Sequence, residues 1–303
     1  VSEIAVPDHA PVPVDDRRIT ATGDVTLAVR VRNPDGAGTP VLLVHGLSSN
    51  ARLWDGVAGE LAAAGHPVAA VDQRGHGRSD KPDDGYDFAT LTADLVAVAD
   101  ALGWSDRPMV AAGQSWGGNV VLELAARHPD RLVAAVLVDG GTIEFRHSFA
   151  DWPTAEAALA PPEFAGTTAE AFARMLRSHH ADWPEAGIEG TLGNVEVLPD
   201  GTIRPWLSRP HHLAILRGMW DHHPSERYGE VTVPTLIVPA GDPDASAGRF
   251  EVAKREGVHR AEQGLPRSAT RWIPGDHDLH AQHPVEVAAL IAGAADGTVF
   301  AGA

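Results

Sequence analysis

The sequence predicts an α/β protein: a doubly wound, mostly parallel sheet of eight strands flanked by helices, with a mostly helical cap inserted late in the sheet. Three observations predict it. Short apolar runs alternate along the chain with stretches of helical spacing, which argues for a parallel sheet covered on both faces. Several of those runs, such as "VLLV" from Val41, are apolar without a break, as strands buried on both sides are. Between residues 141 and 230 the alternation gives way to segments rich in Trp, Pro and His.

Taken in order, "RRITATG" and "DVTLAVRVRN" suggest an opening hairpin, the second strand alternating Val25, Leu27, Val29 and Val31 with Thr26, Ala28, Arg30 and Arg32. The turn-rich "NPDGAGTP" leads into "VLLVHG", then a helical stretch "SNARLWDGVAGELAAAG" and a strand "PVAAVDQRG". In "FATLTADLVAVADALG", Leu91, Leu95, Val98 and Leu102 share one helical face. "PMVAAGQS", "WGGNVVLELAARHPD" and "LVAAVLVDGG" repeat strand, helix, strand. Towards the other end "TLIVPAGD" and "ATRWIPGDH" read as strands, and "PVEVAALIAGAA" as a closing helix with proline in its first turn. The stretch from 141 to 230 is too long for a structureless loop in a compact domain. It is expected to form the cap, leaving 1–140 and 231–303 as the core.

Composition narrows the function. With 24 Lys and Arg against 41 Asp and Glu the formal charge is −17, which repels nucleic acid and anionic membranes. No apolar run approaches the roughly 20 residues that span a bilayer. The absence of cysteine removes disulfides, thiolate catalysis and Cys-type metal sites. The opening "VSEIAVPDHAPVPVDD" has proline and acidic residues where a signal peptide needs a basic start and an apolar middle, so it reads as a poorly ordered lead-in and the expected location is cytoplasmic.

Chemistry concentrates at "VAAGQSWGGNV". A primary alcohol is a poor nucleophile at neutral pH and needs a base and an oxyanion site. Gly113 and Gly117 flank Ser115 where a strand turns into a helix, leaving room for a tight turn that pushes the hydroxyl out above the sheet. The helix starting at Trp116 aims its N-terminal dipole at developing negative charge.

With "VLLVHGLSSN", "VDQRGHGRSD", "GQSWGG", "VPTLIVPAGDPD" and "IPGDHDLHAQHP" in this order, the chain resembles the α/β-hydrolases over residues 17 to 296, close to their capped serine esterase, lactonase and cofactor-free haloperoxidase branch. The resemblance implies that His45 and Gly46 begin the oxyanion loop, with backbone N–H groups from Leu47 and Trp116 forming the oxyanion hole. His45 either orders that loop or contacts substrate, and His76 is expected to be structural. The base is expected at His277, from the Gly-x-His placement before the closing helix and the order Ser, Asp, His, with His280 and His283 as alternatives. The acid is expected at Asp244 in the family's Gly-x-x-Asp, with Asp242 its neighbour and Asp139 in "VLVDGG" the alternative.

Four tryptophans of the insertion, Trp152, Trp183, Trp206 and Trp220, either line a substrate pocket or form the cap's own core. The His-His pairs at 179, 211 and 222 lack metal-ligand spacing, so neither metal nor cofactor is expected. The expected activity is metal-free serine hydrolysis of a small-molecule carboxylic ester or lactone through an acyl-enzyme on Ser115. Amidase or iminopeptidase activity, C–C hydrolysis, perhydrolysis and a receptor role are the alternatives. Serine at position 115 argues against epoxide hydrolase and dehalogenase chemistry, which need a carboxylate nucleophile.

Overall fold

A computed structural model describes residues 12–244 and 248–301. The lead-in falls largely outside them, but Asp15 and Asp16 already pair in the first strand, earlier than the sequence suggests. Strands β1 (Asp15–Thr20) and β2 (Thr26–Arg32) form the opening hairpin. There follow β3 (Val41–Val44), α1 (Asp55–Ala63), β4 (Val68–Val71), α2 (Phe88–Ala101), β5 (Met109–Gln114), α3 (Trp116–Arg127) and β6 (Leu132–Val138).

The insertion carries α4 (Trp152–Leu159), α5 (Ala169–His179), α6 (Glu185–Leu192), a small hairpin of β7 (Val195–Val197) and β8 (Ile203–Pro205), α7 (Arg209–Asp221) and α8 (Pro224–Arg227). The main sheet then resumes with β9 (Thr235–Val238), α9 (Arg249–Gly264), β10 (Ser268–Thr270), α10 (Leu279–Gln282) and α11 (Pro284–Asp296).

The eight-stranded sheet has the order β1-β2-β4-β3-β5-β6-β9-β10, antiparallel at the β1–β2 and β2–β4 pairs and parallel elsewhere. The period of two divides each central strand between two cores. Leu42 and Val44 of β3 join α2 and α3 on one face, while Val41 and Leu43 join α1 and α11 on the other. Both faces are covered, which is why β3 and β4 are apolar throughout and β9 is apolar after Thr235.

One expectation needs correction. The last strand is shorter than "ATRWIPGDH": only Ser268–Thr270 pairs continuously with β9, followed by an isolated bridge from Ile273 to Ala240. Pro274, which has no N–H to donate, follows that bridge. The insertion, mostly helical, also contains the β7–β8 hairpin. Phe172, Leu176, Trp183, Ile188, Val195 and Ile203 of the insertion bury one another together with Leu53 and Ala281 of the core, giving it a third apolar cluster.

Candidate active site

Strand β5 ends at Gln114 and α3 begins at Trp116, so one residue makes the whole turn. Ser115 makes it at φ 54°, ψ −124°, a backbone conformation that costs a non-glycine residue roughly 1–3 kcal/mol. Close backbone approach holds it there. A Cβ on Gly113 would stand 2.1 Å from the Gly117 carbonyl oxygen, one on Gly117 2.4 Å from that of Val44, and one on Gly140 2.2 Å from that of Ser115 itself. The Ser115 amide also donates to the Val138 carbonyl at 3.0 Å. Gly113→Ala is therefore expected to lower stability by about 1–3 kcal/mol or more, read as a fall in melting temperature, because backbone rather than a flexible side chain must move. An unchanged melting temperature would contradict this packing.

Gln114 pairs with Val138, so the residues after them, Ser115 and Asp139, stand at the carboxyl ends of adjacent strands. Asp139 is buried and accepts three hydrogen bonds: from the Ala240 amide on Oδ1 at 2.9 Å, and from His277 Nδ1 at 2.5 Å and Lys254 Nζ at 2.9 Å on Oδ2. Burial opposes its charge, but the His277 hydrogen bond, the charges of His277 and Lys254 and the Ala240 amide outweigh it and hold the carboxyl below its ordinary range. His277 feels the reverse pair of effects. Partial desolvation of the half-exposed ring disfavours imidazolium, and the Asp139 bond and charge, helped by Asp278, overcome it and raise the imidazole above its ordinary 6.5. Gln114 Nε2 donates to the His277 carbonyl at 3.0 Å, tying the histidine loop to the turn that bears Ser115.

The expectation of Asp244 as the partner of His277 is corrected here. Imidazole Nδ1 has one hydrogen bond to give, and it goes to Asp139. Asp244 is exposed, in a turn where its amide donates to Asp242 Oδ1 at 2.8 Å; Asp242 is exposed as well. The alternatives to His277 are occupied otherwise. His280 is buried with its ring centroid 4.3 Å from that of Trp54, and burial pushes its pKa down to about 3. His283 forms the N-cap of α11.

His45 is fully buried and orders the loop rather than facing the cavity. Its Nδ1 donates to the Gly46 carbonyl at 2.7 Å and its Nε2 accepts from the Gln73 amide at 3.0 Å. Burial, against smaller opposing effects of Asp72 and Gly46, keeps it neutral. His76 works alongside it, accepting from the Ser48 amide at 3.2 Å. The Leu47 and Trp116 amides have no backbone acceptor among the described residues. Two residues that the sequence did not single out brace this corner. Ser48, at φ 59°, bonds His212 Nδ1 at 2.8 Å, and His212 Nε2 reaches the Leu159 carbonyl at 3.0 Å. His212 was one of many histidines in the insertion, so nothing in its local pattern marked it.

Ser115 and His277 open onto a cavity of about 550 Å³. Its walls include Leu137 of the core and Ile143, Leu159, Leu216 and Met219 of the insertion, and Leu47 and Asp139 also line it. A pocket of about 130 Å³ on the same two residues is walled by Ser49, Gln114, Thr191, Asn194 and Asp278. None of Trp152, Trp183, Trp206 and Trp220 lines either space, which corrects the substrate-binding expectation for them. Trp183 packs in the insertion's own cluster and donates to Asp276 at 3.0 Å. Trp152 meets Trp220 edge to face, and Trp206 lies under the Arg78 guanidinium at 4.5 Å. Large flat rings are better used here to join layers than to face water. Among the described residues no group of three His, Asp or Glu could hold a metal ion, and no helix is long and apolar enough to cross a membrane.

A strand, a one-residue turn with a strained serine and a helix, opposite a histidine on a buried carboxylate, define the class of molecule. A family model described as the α/β hydrolase fold matches residues 39–208, and the chain belongs to that family. It is 33% identical to lipase LipV of Mycobacterium tuberculosis over 187 residues, 61% of this chain and 68% of the lipase. It is 42% identical to a non-heme chloroperoxidase of Streptomyces lividans over 102 residues, 33% of this chain and 36% of that protein. Among solved structures, E-2-(acetamidomethylene)succinate hydrolase superposes with a TM-score of 0.74 at 25% identity, covering 94% of this chain and 100% of its own. The match to the chloroperoxidase thus spans about a third of that relative's length, whereas the fold is shared from end to end with the solved hydrolase.

Proposed function

We propose that this hydrolase cleaves a small-molecule carboxylic ester or lactone through an acyl-enzyme on Ser115, in the cytoplasm and without a metal. The observation that carries the reading is the strained Ser115 sharing one cavity with His277, whose Nδ1 is committed to buried Asp139. With Nδ1–H donated to Asp139, Nε2 is left as the basic nitrogen. It takes the proton as Ser115 attacks the carbonyl and returns it to the departing alkoxide. The Leu47 and Trp116 amides hold the oxyanion, with the α3 dipole behind the second. A water activated by the same nitrogen then cleaves the acyl-enzyme. Asp139 takes the acid role in place of Asp244.

The insertion, residues 141–230, acts as the cap of the core formed by 1–140 and 231–303, because Leu159, His212, Leu216 and Met219 face the cavity. The large, mostly apolar space suits a bulky acyl or alcohol group, and the small one beside Asn194 and Asp278 a compact polar group. The lipase name of one relative supports ester cleavage. Serine in place of a carboxylate nucleophile separates this chain from the epoxide hydrolases of Mycobacterium tuberculosis that also match it.

The test is a panel of p-nitrophenyl esters of increasing chain length, aryl esters, lactones and proline amides, assayed with a chelator present. Ester or lactone turnover unaffected by chelator is expected; turnover confined to amides, or lost with chelator, would overturn the reading. The same assay fixes the pH dependence. His277 must be neutral to act as base, and its pKa is raised, so kcat/KM is expected to rise with pH through a group above 6.5. An acid limb centred below 6.5 would contradict the Asp139–His277 pairing.

A further inference from the structure

Lys254 lies on α9, the helix that follows the strand next to Asp139, and nothing in the reaction above uses it. Its ammonium nevertheless bonds the same oxygen of Asp139 that accepts from His277, at 2.9 Å, and reaches the Ala240 carbonyl at 3.1 Å. It also lines the catalytic cavity. Two donors on one oxygen stand within about 5 Å of each other. We propose that Lys254 is a positioning residue for the base: it anchors Oδ2 of Asp139 and divides that oxygen's charge between ammonium and imidazole, so that His277 is neutral at a lower pH than Asp139 alone would allow.

Ammonium and imidazole compete for one carboxylate oxygen. An unshared carboxylate would stabilise imidazolium strongly, leaving the base protonated over much of the neutral range. A fixed cation close by opposes a second positive charge on His277, which is the direction in which Lys254 acts on it. The Ala240 amide on Oδ1 and the two donors on Oδ2 also leave the carboxylate no freedom to swing away as the imidazole changes charge. The other groups facing His277 are common to every variant below. Asp278 belongs to its own loop and His280 comes from α10, while Asp276 and His180 of the insertion, 3.4 Å apart, act on Asp278. Glu144, Glu251 and Arg260 line the cavity further along.

The proposal rests on His277 as the base, so the test reads the imidazole directly as well as through turnover. The His277 pKa is measured by NMR in the wild type, Lys254→Met, Lys254→Gln and Lys254→Arg. The ammonium is partly exposed on a helix and both neutral replacements are good helix formers, so folded variants are expected. At such separations, between the dielectric of water and that of a protein surface, a unit charge moves a neighbouring pKa by on the order of 0.5 to 2 units. Both neutral variants should therefore raise the His277 pKa by about that much, and Lys254→Arg should restore it to near the wild-type value. The acid limb of kcat/KM should move with it. An unchanged or lowered pKa in the neutral variants, or arginine behaving like methionine, would overturn the proposal. A raised NMR pKa with no matching shift in the rate profile would uphold Lys254 and remove His277 from the role of base.

Discussion

Ser115→Ala is expected to cut kcat by on the order of 10³-fold or more while leaving the fold in place, since the nucleophile and its base act as one unit. The oxygen contributes little to stability, because the turn is held by backbone contacts from Gly113, Gly117 and Gly140 and by the amide bond to Val138, not by the hydroxyl. The measurement is steady-state hydrolysis of a p-nitrophenyl ester beside a melting curve. A variant that keeps most of its activity would remove Ser115 from the mechanism. In the wild type, a phosphonate or sulfonyl fluoride should add to Ser115, and an adduct found elsewhere by mass spectrometry would have the same force.

Asp139→Asn should cost about 10⁴-fold in kcat, because an amide that offers N–H to Nδ1 turns the imidazole to the wrong tautomer. Asp244→Asn should change the rate by no more than about twofold, as expected of an exposed turn residue with no contact to the site. Near-equal rates for the two variants, or a large loss at Asp244, would return the acid to the loop after β9. Because Asp139 also binds Ala240 and Lys254, its melting temperature belongs in the comparison. A rate loss far larger than the fraction unfolded is the signature of an orienting acid.

The contrast between these two aspartates marks where sequence reasoning reached its limit. The fold was legible because burial on both faces writes itself as unbroken apolar runs, as in Val41–Val44 and Val68–Val71, and because a serine between glycines at a strand-to-helix junction has few other uses. The position of His277 before a helix opened by Pro284 was legible for a similar reason. The acid was not. Asp139 and Asp244 both follow strands of the same parallel sheet, and which one meets an imidazole depends on where the loops travel in space, which no periodicity records.

The insertion was recognisable only as a break in pattern. The β7–β8 hairpin uses three residues on each side, too few to display alternation, and its tryptophans gave no hint that Trp206 would lie beneath Arg78 of the core. Lys254 sits in "FEVAKREGVHRAEQG", where charges are frequent enough to hide one that matters.

The placement of Asp139 at the end of β6 also sets an order of assembly. Ser115 and Asp139 stand on neighbouring strands joined by a single helix, whereas the bond from Asp139 to His277 closes a gap of 138 residues. Along the chain the partners of the carboxylate arrive as Ala240, then Lys254, then His277. A chain emerging from the ribosome therefore makes Ser115 and Asp139 first and reaches His277 only 138 residues after Asp139, and a serine without a base is a weak nucleophile. On the mechanism proposed above, reactivity is withheld until the segment bearing His277 has been made.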